Sequence, residues 1–185
     1  MRKGNSDMNN EFLEKIKELG VHEYGIIPIE SVPFEHEVRE MCAANRCGHY
    51  GKTWCCPPGC GTEEECKERL TKYKNVLVFS TKTDLEDSFD FEGMTEAMVR
   101  HKAVSKQVRL LFKDTFGDDF FALSSEGCGN CEKCTYPDAP CRFPKDMMPS
   151  VESYGIMVYK EAAAAGIHYI NGANTVTYFS NIFYN

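Results

Sequence analysis

The chain has 185 residues, 42% of them hydrophobic and 26% charged, and carries a net charge of −7. That length suits a single domain, residues 1–185, with a hydrophobic core of its own, and the acidic balance argues against nucleic acid as a partner, because phosphate binding rests on basic patches. Apolar runs such as Val76-Leu77-Val78-Phe79 fall far short of the roughly 20 residues that span a bilayer. The first residues place no apolar segment behind Arg2 and Lys3, so the expectation is a cytoplasmic protein with no membrane partner.

In chain order, Asn10 to Leu19 reads as a helix with Phe12, Ile16 and Leu19 on one face and Gly20 as its cap. Tyr24 to Ile29 reads as a strand that Pro28 confines to an edge or an end. Ser31 is a candidate cap for a helix through Phe34, Val38 and Met41, which leads into a first cysteine region, Cys42 to Cys60. Thr62 and Glu65 make a capping box for the next helix, with Cys66, Leu70 and Tyr73 on a common face, so Cys66 reads as core. Asn75 to Thr81 is the clearest strand.

Asp84, Glu86, Asp87, Asp90 and Glu92 lack the ligand ladder and central glycine of a calcium loop and read as a solvated segment. A long helix is expected from about Thr95 to Phe116, ended by Gly117, then a short strand from Phe120 to Leu123. The second cysteine region, Cys128 to Cys141, follows. Ser150 to Gly166 reads as a helix broken at Gly155, and Ile167 to Ile170 with Thr175 to Phe183 as a hairpin across Asn171-Gly172-Ala173-Asn174. The fold class expected is α/β, a mixed sheet flanked by helices, with two cysteine-rich metal-binding loops.

Ten cysteines dominate the chemistry. A secreted protein would use such a set for disulfides, whereas in a reducing compartment clustered thiols are metal ligands or redox groups. The second region, CGNCEKCTYPDAPC, supplies Cys128, Cys131, Cys134 and Cys141 at C-x2-C-x2-C-x6-C spacing. Three thiolates in succession can each reach a different iron of one cluster, and soft sulfur is the ligand that iron–sulfide centres need. Gly127 and Gly129 let the backbone turn tightly there. The run is similar to the ferredoxin motif, but its last gap is longer and Pro140 precedes the final cysteine. Zinc is the rival metal, although structural zinc sites usually pair two C-x2-C knuckles set well apart. A thiol redox pair of Cys128 and Cys131 would leave Cys134 and Cys141 without a purpose.

The first region, MCAANRCGHYGKTWCCPPGC, holds Cys42, Cys47, Cys55, Cys56 and Cys60. Adjacent Cys55 and Cys56 point in different directions, leaving one spare, and Pro57-Pro58 makes Cys56 the better-positioned ligand. Cys42, Cys47 and Cys56 could hold three irons, with the fourth closed by Cys60 or left open as a Lewis acid. His49 reads as an exposed loop residue, Trp54 as a shield against water, and Lys133, Arg142 and Lys145 as a positive patch beside the second region or as ordinary surface. Signatures of serine hydrolases, phosphate loops, zinc proteases and dinucleotide folds are absent, as is the radical S-adenosylmethionine spacing.

Cys42, Cys47 and Trp54-Cys55-Cys56-Pro57-Pro58, joined by Cys128, Cys131, Cys134 and Cys141-Arg142, resemble a predicted metal-binding family, domain-of-unknown-function family 2284. The run Ser150 to Ile156 and the segment Val176-Thr177-Tyr178-Phe179 extend the resemblance over most of the chain beyond residue 40. It implies metal binding and no established reaction. Cys42, Cys47 and Cys56 match its first motif and the four later cysteines its second, while Cys55 and Cys60 depart from the pattern. Together these readings point to one or two [4Fe–4S] clusters, serving electron transfer with a redox partner protein or small molecule. The alternatives are an enzyme with an open-site cluster and a zinc-stabilised binding module.

Overall fold

The computed structural model describes residues 9–125 and 127–185; the basic pair Arg2 and Lys3 lies outside them. Helix α1 (Asn10–Glu18) starts at Asn9, whose side chain accepts from the Glu11 N–H, and buries Phe12 and Ile16. Strand β1 (Glu23–Pro28) follows and ends at its proline. Helix α2 (His36–Ala43) buries Val38, and α3 (Glu63–Thr71) opens on the complete Thr62/Glu65 capping box and buries Cys66 and Leu70. Then come β2 (Asn75–Asp84), α4 (Phe91–Phe116), β3 (Phe120–Leu123), α5 (Val158–Ala164) and β4 (Thr175–Tyr184).

The four strands form one sheet in the order β1-β2-β4-β3, and every pair is antiparallel. The α/β class stands, while the sheet has no adjacent parallel strands where a mixed one was expected. The reason is β4. Strands β2 and β3 are joined by the long α4 crossover and run in the same direction, but β4 inserts between them, antiparallel to both.

Side-chain alternation sends β2 and β4 residues to opposite faces. Leu77, Phe79 and Ile182 meet Phe12 and Ile16 of α1 and Val108 and Phe112 of α4. Val76, Val78, Phe179 and Phe183 meet Cys66 and Leu70 of α3 and Ala162 of α5. The sheet is therefore covered on both faces. At about 25 cal/mol per Å² of apolar surface removed from water, these two clusters supply the main stabilisation.

Other elements depart from expectation. Ser31 closes a short 3-10 turn, Ile29–Ser31, and α2 instead begins after Glu35, which lacks a side-chain cap. Phe34 is held outside the helix by a bridge to Ile156, and Met41 is exposed. Helix α4 starts four residues early because the Asp90 carboxylate caps it, accepting from the Gly93 N–H. The segment after Pro149 makes a 3-10 turn, Glu152–Tyr154, that ends at Gly155 with φ +75 before α5. Residues 167–170 do not pair with β4, because both edges of β4 are already taken by β2 and β3. No helix among the described residues is long and apolar enough to cross a membrane.

Candidate metal centre

The second cysteine region is an excursion from the end of β3 whose two ends are pinned together. The Ser124 N–H donates to the Pro149 carbonyl at 2.9 Å, and the Val151 N–H returns to the Ser124 carbonyl at 2.9 Å. Within the excursion the Thr135 hydroxyl donates to the Pro140 carbonyl and Arg142 donates to the Lys133 carbonyl. These bonds fold the loop back so that Cys128, Cys131, Cys134 and Cys141 all line one cavity of ≈ 350 Å³. Gly129 makes its turn with φ +70, a conformation that favours glycine.

A residue from the first region completes that wall. Cys55 lines the same cavity, and its sulfur accepts the Cys128 backbone N–H at 3.1 Å. The two regions are docked on each other around it. Trp54 donates its indole N–H to the Ala139 carbonyl at 3.0 Å and meets the Tyr136 ring edge-on, 4.9 Å between centroids. Gly59 permits the approach, since a Cβ there would lie 2.3 Å from the Thr53 carbonyl oxygen and 3.0 Å from the Tyr136 ring.

Cys42, Cys47 and Cys56 line a second cavity of ≈ 240 Å³, shared with Ser150, Glu152 and Ser153. Cys42 arrives at the C-terminal end of α2, and the loop beyond is shaped by Asn45, whose side chain accepts the Tyr50 N–H at 3.0 Å. His49 and Gly127 stand in the walls of both cavities. Among the described residues no three Cys, His, Asp or Glu side chains converge as ligands of a single ion; the thiols stand around cavity walls instead.

The thiols differ in electrostatic setting. The neighbouring Cys56 thiol, 3.9 Å away, lowers the proton affinity of Cys55 against the effect of burial, helped by the Thr53 hydroxyl and the Cys128 N–H. Cys56 is pushed up correspondingly, by its bond toward Cys55 and by burial. Burial, followed by the Glu152 carboxylate, pushes Cys42 up to about 11, and burial also raises Cys128. Such thiols ionise when a metal takes the proton's place.

With ten free cysteines, eight of them lining the two cavities and two in the pair behind them described below, the donor set fits thiolate-held metal. The sequence profile of the family described as predicted metal-binding protein (DUF2284) matches residues 25–184. The chain belongs to the DUF2284 family. No curated protein and no solved structure matches it.

In this DUF2284 protein the four later cysteines line one cavity and Cys42, Cys47 and Cys56 line another. Cys60 lines neither cavity. It is buried beside Cys66, which donates to its sulfur at 3.9 Å, and Arg39 reaches Cys60 at 3.5 Å and Cys66 at 3.7 Å. The Cys66 thiol, and then the Arg39 charge, hold Cys60 low against burial. Arg39 is fixed by the Ser153 and Gly61 carbonyls, and Arg69 by the Cys60 carbonyl and the Tyr154 hydroxyl.

Sequence reasoning missed three features of this DUF2284 site. Cys55, set aside as spare, faces the ≈ 350 Å³ cavity of the later cysteines. Trp54, read as a shield of the first region, lines that same cavity of the later cysteines. Lys102 of α4 also lines it, whereas the Lys133 and Arg142 side chains do not. Nothing in the spacing of α4 marks Lys102, because its place depends on how the helix crosses the sheet.

Proposed function

We propose that this protein is an iron–sulfur protein acting in electron transfer or as a redox accessory, with its principal [4Fe–4S] centre held by Cys128, Cys131, Cys134 and Cys141. The observation that carries this reading is the single cavity around which those four thiols stand. A zinc ion needs four ligands closed tetrahedrally at about 2.3 Å from one point. Thiols spread around a cavity wall suit a centre in which each binds a different iron. When bound, such a centre accepts and releases electrons at a potential set by charge, hydrogen bonds to sulfur and exposure. The chain's residues supply those levers: the Trp54 ring limits water, the Cys128 N–H donates to Cys55, and Lys102 brings a positive charge.

A second reading concerns Cys42, Cys47 and Cys56. Three thiols without Cys60 in their cavity suit a second cluster with one iron open to a small molecule, which would make the protein an enzyme. A reducing, cytoplasmic setting with a redox partner protein or small molecule belongs to both readings. Iron, zinc and acid-labile sulfide content, with a visible spectrum on protein purified without oxygen, is the test. About four irons and four sulfides per centre, with absorbance bleached by dithionite, is the expected result. Stoichiometric zinc without sulfide would leave a zinc-stabilised module instead.

A further inference from the structure

Cys55 and Cys56 are consecutive residues whose thiols line different cavities. Their sulfurs lie 3.9 Å apart, with 1% and 7% of the residues exposed. We infer that the Cys55-Cys56 unit is the shared wall of two metal centres and couples them into one electronic pair. This rests on the iron–sulfur reading above and adds to it that the centres work together.

Two contacts and a shared lining converge on this arrangement. The Cys128 N–H, from the second motif, donates to the Cys55 sulfur at 3.1 Å, so the spare thiol of the first region is bonded to the ligand loop of the second. Thr53 places its hydroxyl 3.4 Å from the same sulfur. His49 and Gly127 face both cavities, so the partition is one residue thick at these points also. Cys55 and Cys56 themselves are buried, and charges on either side of a buried pair are felt far more strongly than in bulk solvent.

The step this allows is a one-electron exchange. Clusters held by the two sets of thiolates would exchange one electron across the Cys55-Cys56 wall, one oxidised as the other is reduced, with no bond made or broken and no co-reactant consumed. An electron added to a cluster on one side of Cys55 and Cys56 would raise the cost of adding one on the other, so the two reduction potentials would be linked.

The test is electron paramagnetic resonance of the full chain, purified without oxygen and assayed for iron and sulfide, during stepwise reduction with dithionite. Partial reduction should give the spectrum of one isolated centre. Full reduction should give a split spectrum whose splitting, in field units, is the same at two microwave frequencies. A fully reduced spectrum that is the plain sum of two non-interacting centres, at eight irons per chain, would overturn the inference and leave the iron–sulfur reading intact. Four irons per chain would do the same, whereas zinc without sulfide would remove both.

Cys55→Ala gives a second readout. Where the Cys55-Cys56 wall couples the two centres, removing the Cys55 thiol shifts both midpoint potentials. A shift confined to one centre, or none, counts against the shared wall. If the variant fails to fold, the spin measurement on the unaltered chain decides alone.

Discussion

The backbone N–H of Cys128 donates to the sulfur of Cys55 at 3.1 Å, across 73 positions of sequence. This bond ties the two cysteine regions together before any metal is considered, and it makes the stability of each region depend on the other. The loops bring little apolar surface of their own, so metal binding and folding should be linked.

Cys131→Ala should therefore lower metal content and thermal stability together. Loss of about 3 kcal/mol of binding-linked stability corresponds to a fall in Tm of roughly 6–12 °C for a chain of this size. Metal analysis paired with a calorimetric melt checks it. A fully metallated variant with an unchanged melt would show that the loop's order does not depend on its ligands.

Docking of the two regions can be probed without touching a cysteine. A Cβ on Gly59 would lie 2.3 Å from the Thr53 carbonyl and 3.0 Å from Tyr136, and neither backbone nor packed ring can yield freely. Gly59→Ala should cost about 1–3 kcal/mol by overpacking and loosen the Trp54–Tyr136 contact. Tryptophan fluorescence reports that contact directly, since Trp54 is the single tryptophan. An unchanged emission maximum and melt would mean the loops do not rely on this close approach.

The capping box of α3, the edge strand ending at Pro28 and the short β3 were legible because each is a local pattern. So were the core faces of α1 and α3, where apolar residues recur at helical spacing. What the pattern could not show was assembly. Nothing near Thr175 announces that β4 will lie between β2 and β3, which is why residues 167–170 read as its hairpin partner. The site divides in the same way. The grouping of Cys42, Cys47 and Cys56 follows from spacing, but the turn of Cys55 toward a loop that follows β3 depends on tertiary docking.

Two buried groups, one on each face of the sheet, set opposing pH limits. His101 is fully buried, bonded to Thr81 and Ser180 at 2.8 Å each, and burial lowers its pKa to about 4. Its unfolded value is higher, so the unfolded chain binds the extra proton, and stability falls as pH drops below about 6.5. Between pH 8 and pH 5 the loss should be roughly 2 kcal/mol. His101→Gln should flatten that slope, as read by urea unfolding at the two pH values. A slope equal to that of the unaltered protein would show that His101 is not its source.

Glu161 has the opposite sign. It is buried on the other face, where Asn181 donates to one carboxylate oxygen at 2.8 Å. The second oxygen, and the Asn181 carbonyl oxygen, have no hydrogen-bond partner. Burial raises the Glu161 pKa to about 8, and a proton on that second oxygen supplies the missing donor. The folded state then holds a proton that the unfolded chain has released, so stability declines as pH rises from about 4.5 through 8. Glu161→Gln keeps the shape without the charge and should be more stable than the parent above pH 7, by about 1–3 kcal/mol. Denaturant unfolding at pH 8.5 decides it, and a variant less stable than the parent would indicate an ionised, specifically paired carboxylate.

In the proposed first centre, Cys60 decides whether three thiolates or four hold it. Its sulfur accepts from Cys66 and Arg39 and contributes nothing to the cavity of Cys42, Cys47 and Cys56. Serine in its place is shorter and harder, so Arg39 and Cys66 would lose a partner at a cost of about 1–2 kcal/mol. The first centre would keep its ligands. Cys60→Ser should therefore retain the parent's iron and sulfide while melting a few degrees lower, whereas Cys56→Ser should lose the first centre's share. Equal metal loss in the two variants would place Cys60 among the ligands, close the fourth iron, and turn the first centre from a binding site into a second electron carrier.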